Sequence, residues 1–198
     1  MVITLLAACD RLTKPTSSGR PYEVLVVVDD QLWQRPAGRA LFDVLDTDVP
    51  GLPQPERSFR ISQTTQKRFS QVLNIFRTII KVDIDPTQYT QTKMKFTRDV
   101  YARPQVVLTI QSPNEKDFAA FVKKNSRSII DFLVKVEMNR QINELEEKHS
   151  EAVSQLAEEI FKCQLWAPAE IKSYKKGKDF FWASSNTASG LVNICMYS

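Results

Sequence analysis

The sequence predicts an α+β fold, in which helices pack on a mixed β-sheet and one long charged helix fills much of the second half. Three observations lead to this class. Strand-like and helix-like segments alternate over residues 22–111, a nearly continuous helical pattern fills residues 114–163, and alternating strands return after residue 170. A chain of 198 residues suits one substantial domain, which we expect over residues 21–198.

The first half of the chain is predicted to form a strand, a helix, a strand, a helix and a strand, in that order. Residues 22–30, YEVLVVVDD, form a β-branched run typical of a strand buried on both faces. Pro36 suits the first turn of a helix over residues 32–45, and the proline-rich loop VPGLPQPE follows it. A short strand at residues 59–61 then leads to a helix that Thr64 or Thr65 could cap. That helix would carry four apolar residues, Phe69, Val72, Leu73 and Phe76.

Three more strands complete the predicted sheet. Alternating apolar residues predict strands at residues 80–84, around Met94 and Phe96, and at residues 105–111, QVVLTIQ. Asp85-Pro86 should end the first of these, because the residue before proline is held in an extended conformation.

The helical pattern of the second half predicts two helices, with a break at Asn125-Ser126. The second, over residues 127–162, would be about 54 Å long at 1.5 Å per residue, which exceeds the diameter of a compact domain of this size. Either it kinks near Asn139, or its middle projects beyond the sheet. The apolar stripe around Ile142–Ile160 is then a candidate surface for a protein partner, and a merely solvated charged helix is the alternative.

The last segments read as strands. IKSYKKGKDFFWA, residues 171–183, predicts two strands around a Lys-Lys-Gly-Lys turn. Residues 191–197 predict another strand, which runs to the end without a closing turn. We therefore expect the domain to be incomplete at its C-terminus.

Composition excludes some classes of function. The formal net charge of +4 is too mild for a dedicated nucleic-acid binder, so we expect no nucleic-acid partner. The spacing of Cys9, Cys163 and Cys195 suits no metal cluster, and we expect neither a metal nor a cofactor. In an oxidising compartment Cys163 and Cys195 could pair, or Cys195 could be a buried free thiol.

The amino terminus has the form of a lipoprotein signal. Leu6-Ala7-Ala8-Cys9 matches a lipobox, in which small residues fit a signal peptidase and the cysteine thiol receives a diacylglycerol. Residues 1–9 would be the signal remnant and residues 10–20, DRLTKPTSSGR, a flexible tether. We expect a basic segment before Met1, which such signals require. The alternative is a buried first strand, VITLLAA, with an incidental cysteine.

An acidic pattern follows one of the predicted strands. Asp83, Asp85 and Thr87 match the D-x-D-x-T nucleophile motif of haloacid-dehalogenase-like phosphatases, and Asp29 could join them in a Mg²⁺ site. The chain order is the reverse of that family's, because here the Asp29-Asp30 strand comes first. The alternative is a plain turn at Asp85-Pro86-Thr87, and we assign no catalytic residue.

Two other features have a structural and a functional interpretation. The segment at residues 174–182 contains aromatic residues next to lysines. Its residues Tyr174, Lys176 and Trp182 could form a ligand surface for sugars or anionic headgroups. A hairpin whose aromatics face the core is the alternative. His149, the single histidine, lies on the apolar stripe and is expected to pack rather than to catalyse.

Beyond these motifs, the chain resembles a family of Bacteroidetes lipoproteins described as a domain of unknown function. The resemblance covers residues 19–198 and is carried by the lipobox, RPYEVLVVVDD, IIKVDID, YARPQVVLTIQSP, the glutamate-rich helix and FFWASSNTASGLVNICMYS. It implies a protein that continues beyond Ser198, and it implies no activity, cofactor or catalytic residue.

These observations favour a non-catalytic, lipid-anchored envelope protein that binds or scaffolds a partner. Residues 10–14, DRLTK, lack the acidic cluster that follows the cysteine of surface-displayed lipoproteins in that phylum, so we expect the protein to face the periplasm. The alternatives are an envelope hydrolase or phosphatase using Asp83 and Asp85, and a glycan or small-ligand module.

Overall fold

The computed structural model describes residues 14–70, 72–187 and 190–198, with side chains left out at 186 and 187. The chain divides into two compact units, one ending at Val136 and one spanning Glu137–Ser198, which we call unit 1 and unit 2. The sequence did not predict this division. The expected signal remnant at residues 1–9, with Cys9, and residues 10–13 of the expected tether lie outside the described residues.

Unit 1 is built on a mixed five-stranded sheet in the order β2-β1-β3-β5-β4. Its strands are β1 (Glu23–Val27), β2 (Arg60–Thr64), β3 (Thr78–Ile84), β4 (Lys93–Arg98) and β5 (Val106–Ser112). Strands β1, β2, β3 and β5 run parallel, and β4 pairs antiparallel with β5. The α+β class with a mixed sheet is confirmed.

Helices cover one face of this sheet and a loop covers the other. The helices are α1 (Asp30–Gln34), α2 (Pro36–Leu45), α3 (Glu115–Lys124) and the first part of α4 (Ser126–Glu147). They bury Leu41, Phe118 and Ile129 against alternate strand residues such as Val26 and Ile80. The intervening residues point to the opposite face, where a second cluster forms from Leu25, Val27, Ile79 and Val107. Burial on both faces is why these strands read as unbroken apolar runs.

The predicted helix after β2 is wrong. Residues 65–70 and 72–77 form single turns, in which the Phe69 amide donates to the Thr65 carbonyl and the Asn74 amide to the Ser70 carbonyl. Phe69, Leu73 and Phe76 still pack against the second face of the sheet, while Val72 is exposed. The apolar spacing therefore reflects coverage of that face and not a helical repeat.

The predicted helix over residues 32–45 is two helices. Arg35 is extended, with φ −81° and ψ 165°, and it separates α1 from α2. Pro36 is the first residue of α2, and proline disfavours the helical conformation in the residue before it.

Part of the segment expected as a tether is hydrogen-bonded to unit 1. The Ser17 amide donates to the Arg103 carbonyl, the Arg103 amide donates to the Pro15 carbonyl, and the Ser18 amide donates to the Ile75 carbonyl. The backbone is therefore joined to unit 1 from Pro15 onwards.

The predicted helix over residues 127–162 is also wrong, since it is broken at 148–150. Helix α4 ends at Glu147, and α5 spans Glu151–Phe161. Ser150 is buried between them, where its amide donates to the Ala167 carbonyl and its hydroxyl to the Ile171 carbonyl at 2.6 Å. These bonds to a later loop replace the helical ones, so the continuous helix of about 54 Å does not form, and α4 is helical through Asn139.

Unit 2 places α5 on a three-stranded antiparallel sheet. The strands are β6 (Ser173–Lys176), β7 (Phe180–Thr187) and β8 (Gly190–Tyr197), in the order β6-β7-β8. Val153 and Leu156 of α5 are buried with Phe181 and Ala183 of β7. The two strands around the Lys-Lys-Gly-Lys turn and the final strand are confirmed.

This packing divides the apolar stripe that was a candidate surface for a protein partner. Leu156 is buried in unit 2 and Ile160 packs against the same cluster, whereas Ile142 on α4 is about half exposed. The predicted stripe around Ile142–Ile160 is therefore not one continuous surface. Among the described helices, none is both long and apolar enough to cross a membrane.

Candidate functional site

The acidic residues singled out in the sequence lie at one edge of the unit 1 sheet. Asp29 follows β1, Asp83 lies near the end of β3 and Asp85 follows it. Because β1 and β3 are parallel neighbours, with Val27 paired to Lys81, their carboxyl ends meet at this edge. In open α/β sheets that edge is the usual place for ligands.

Each of these carboxylates is engaged in local hydrogen bonds. Asp29 caps α1, accepting from the amides of Gln31 at 2.9 Å and Leu32 at 3.4 Å. Asp85 accepts from the Thr87 amide at 2.8 Å and the Thr87 hydroxyl at 2.6 Å, and the hydroxyl bond is the main reason that the pKa of Asp85 is lowered. These hydrogen bonds are those of a turn, which was the alternative interpretation of the Asp85-Pro86-Thr87 segment.

Asp83 belongs to a separate chain of side chains. The Tyr89 hydroxyl donates to Asp83 and accepts from the Gln111 side-chain amide at 2.6 Å. The hydrogen bond to Asp83 raises the pKa of Tyr89, because ionisation would remove the donated proton and would leave two negative charges in contact. In the described part of the chain, no three or more His, Cys, Asp or Glu side chains are grouped so as to hold a metal ion.

The hairpin of unit 2 does not bring its three predicted ligand residues to one face. Tyr174 pairs with Ala183 and Lys176 with Phe181, both on the face that α5 covers. Trp182 is one position along β7, so it points to the opposite face, where its indole N–H donates to Asn193 at 3.1 Å. Lys176 forms an ion pair with Glu159 of α5. Two of the three are thus separated from Trp182 by the sheet.

In the described residues, His149 makes packing contacts and the two cysteines form no disulfide. His149 stacks on Trp166, with ring centroids 5.9 Å apart, and its Nδ1 lies 2.8 Å from the Leu145 carbonyl oxygen. Cys163 and Cys195 are both free thiols, so they do not pair, and Cys195 is exposed rather than buried. Cys9, the predicted lipidation site, lies outside the described residues.

A cleft that the sequence did not reveal lies at the other edge of the unit 1 sheet. It has a volume of about 780 Å³, within the range of small-molecule sites. Tyr22, just before β1, and Arg60, the first residue of β2, mark the amino ends of two neighbouring strands. The first turns of α4 and the loop at residues 47–58 complete its walls.

The cleft has more cationic than anionic groups. It is lined by four arginines, Arg20, Arg57, Arg60 and Arg127, and by two aspartates, Asp48 and Asp131.

Two of these arginines are held in ion pairs. Arg57 pairs with Asp46 at 2.9 Å and Arg127 with Asp131 at 3.0 Å. Within the described residues, the side chains of Arg20 and Arg60 form no ion pair. The excess positive charge favours an anionic ligand.

One face of α4 supplies both polar and apolar lining. Arg127, Ile130, Asp131 and Val134 follow the i, i+3, i+4, i+7 spacing of a single helix face. Ile130 and Val134 are half-buried and pack on the core, so the apolar wall is fixed in place.

Tyr22 forms the opposite wall in a left-handed backbone conformation, with φ 58°. For a residue with a side chain this costs about 1–2 kcal/mol. Its ring centroid lies 6.5 Å from that of Phe59, and its carbonyl accepts from the Arg60 amide at 2.9 Å. Strained residues of this kind concentrate at binding and active sites.

Sequence reasoning missed this cleft because its residues are far apart in the chain. The available signal was the cluster of arginines around aromatic residues in GRPYE and ERSFR, residues 19–23 and 56–60. The parallel pairing of Glu23 with Arg60 brings these two segments together.

Comparison with protein families divides the chain at the end of α4. The model described as Domain of unknown function (DUF8532) matches residues 17–146, and the one described as Domain of unknown function (DUF4837) matches residues 150–198. Two families thus match where the sequence suggested one over residues 19–198. No curated protein and no solved structure is significantly similar to the chain.

Proposed function

The chain belongs to the family described as Domain of unknown function (DUF8532), a description without an activity, and on that premise we propose a function from the residues themselves. The protein is a lipid-anchored component of the cell envelope, facing the periplasm, that binds a ligand without converting it chemically. The resemblance to Bacteroidetes lipoproteins supports an origin in that phylum.

The cleft of unit 1 is the observation that carries the binding role. It combines a preformed apolar wall, from Ile130 and Val134, with guanidinium groups that form no ion pair among the described residues. The carboxylates of the opposite edge are engaged in capping, turn and phenol hydrogen bonds, which favours structural roles for them.

The lipobox supports the anchor. Two acyl chains on Cys9 would hold the protein at a membrane surface. Pro15 is already hydrogen-bonded to unit 1, and six residue steps separate it from Cys9. At 3.3–3.6 Å per residue, the connection reaches at most about 22 Å. An acylated Cys9 would therefore keep unit 1 close to the lipid headgroups.

Membrane fractionation of the full-length protein tests the anchor. We expect the unchanged protein to sediment with membranes and the Cys9→Ala variant to be released. Cys163→Ala and Cys195→Ala are matched controls, because they remove a thiol outside the lipobox and should leave the protein in the membrane. Retention of the Cys9→Ala variant in the membrane would refute the anchor. Mass spectrometry should find acylated Cys9 as the first residue of the mature chain.

Protease treatment tests the orientation. A periplasm-facing protein should survive protease added to intact cells and should be degraded once the outer membrane is permeabilised. Degradation in intact cells would show surface display instead.

A further inference from the structure

We infer that the cleft of unit 1 binds an anionic amphiphile, with a carboxylate or phosphate at Arg20 and Arg60 and an apolar chain along the α4 wall. This inference deepens the proposed function, because it names the ligand class of the same cleft. The argument has three steps, which concern charge, apolar surface and position.

The charge of the cleft selects an anion. Arg20, Tyr22 and Arg60 all line the cleft. Backbone hydrogen bonds place the two arginines on either side of Tyr22: the Arg60 amide donates to the Tyr22 carbonyl, and the Arg20 carbonyl accepts from the Glu23 amide. Guanidinium groups match the planar, two-pronged geometry of carboxylate and phosphate.

A third arginine can be recruited. The ion pair of Arg127 with Asp131 is exposed on both sides, with 85% and 58% of the two side chains accessible. Exposed pairs contribute little to stability, so a ligand anion can compete with Asp131 for Arg127. The Asp46 side chain that pairs with Arg57 is only 22% accessible, so Arg57 stays with its carboxylate.

The apolar walls favour an anion that carries a hydrocarbon chain. Tyr22, Val49, Ile130 and Val134 line the same cleft as the arginines. A small inorganic anion would leave these walls in water, whereas an attached hydrocarbon chain would remove them from it. The volume of about 780 Å³ accommodates such a chain.

The preformed walls favour binding with little rearrangement. Ile130, Val134 and Tyr22 are all packed against the core of unit 1, and Tyr22 also contacts the Phe59 ring and accepts a hydrogen bond from the Arg60 amide. A site that is rigid before binding loses less conformational freedom when it is occupied. The short connection to Cys9 would place this site near the lipid phase, where amphiphiles concentrate.

Isothermal titration calorimetry on the full chain, with ligands below their micelle concentrations, tests the inference. The probes are decanoate, decyl phosphate, decyltrimethylammonium and inorganic phosphate. We expect decanoate or decyl phosphate to bind at least about tenfold more tightly than decyltrimethylammonium and than inorganic phosphate. Which of the two anions binds better identifies a fatty acid or a phospholipid-like source. Equal binding of the cationic probe, or of inorganic phosphate, would overturn the inference.

Variants locate the site. Replacing both Arg20 and Arg60 by Gln should weaken binding of the preferred anion by about tenfold or more, because charge-assisted hydrogen bonds are lost. Arg98→Gln is the matched control, since Arg98 is an exposed arginine at the end of β4 that does not line the cleft, and it should bind normally. Undiminished binding by the double variant would overturn the assignment to this cleft.

Val49→Ser separates the apolar contribution from the charge. Val49 is 39% exposed and lies in a loop, so this change should leave the fold intact. The Val49→Ser variant should bind decyl phosphate severalfold more weakly and should bind inorganic phosphate as the parent does. Equal loss of affinity for both probes would contradict an apolar role for Val49. Release of the Cys9→Ala variant from membranes together with no binding of either anionic amphiphile would leave the anchor standing and refute this inference alone.

Discussion

Gly38 of α2 allows α1 and α2 to pack closely, and we predict that Gly38→Ala destabilises unit 1. A Cβ at this position would lie 2.3 Å from the Leu32 carbonyl oxygen and 2.5 Å from the Trp33 Cα, whereas real Cβ contacts under 3.0 Å are essentially never seen. Both neighbours are backbone atoms of α1, so no side-chain rotation can relieve the contact. Helix α1 would have to move.

Two opposing effects set the magnitude. Alanine is favoured over glycine inside a helix by up to about 1 kcal/mol. Overpacking typically costs about 1–3 kcal/mol, and a backbone contact this short belongs in the upper part of that range. The net expectation is a loss of about 1–2 kcal/mol in the free energy of unfolding, which corresponds to a urea midpoint lower by about 0.5–1 M.

Tryptophan fluorescence during urea unfolding measures this change. The chain contains three tryptophans, and replacing Trp166 and Trp182 by Phe leaves Trp33 as the reporter of unit 1. Gly177→Ala makes the same chemical change where the added Cβ would meet Phe180 at 3.4 Å, an ordinary contact distance, and should leave the Trp33 transition unchanged. A Gly38→Ala protein as stable as the parent would refute the close-packing argument.

Three further predictions concern ionisation and packing. Folding raises the pKa of Tyr89 above its ordinary 10.0, so its stabilising contribution is complete below that pH and is lost as pH rises through the folded pKa. Asp83→Asn should therefore lower the pKa of Tyr89, seen as earlier tyrosinate absorbance in a pH titration, and an unchanged titration would contradict the pairing. Folding lowers the pKa of Asp85 from 3.8. The parent should therefore be more stable than Asp85→Asn above pH 3.8, and this difference in the free energy of unfolding should shrink as pH falls through the folded pKa of Asp85. Urea unfolding at a series of pH values measures the difference. Phe181→Ala should destabilise unit 2 by about 3–5 kcal/mol, because Phe181 is fully buried beneath α5, and a much smaller loss in urea unfolding would mean that the core relaxes around the gap.

The strands were predictable because their signals are local. The run VLVV and the alternation in QVVLTIQ follow from which faces of a strand are buried, and the structure has β1 and β5 at these places. The hairpin around Lys-Lys-Gly-Lys was predictable for the same reason, since a turn between two alternating segments leaves few other arrangements.

The helix errors come from competition that periodicity does not show. Residues 127–162 have a continuous helical pattern, but the Ser150 amide and hydroxyl donate to the Ala167 and Ile171 carbonyls instead of continuing the helix. Phe69 and Leu73 have helical spacing, yet they lie in turns, from which their side chains pack against the second face of the sheet. In both cases a tertiary contact overrides a local preference.

Apolar periodicity along the chain was enough to locate the strands and to give the α+β class, because it reflects which faces of an element are covered. The fold alone shows where Arg20, Arg60 and Arg127 come together, on which face of its sheet Trp182 lies, and where the long helical pattern stops. These depend on strand register and on contacts between residues tens of positions apart, and no periodic pattern along the chain records such distances.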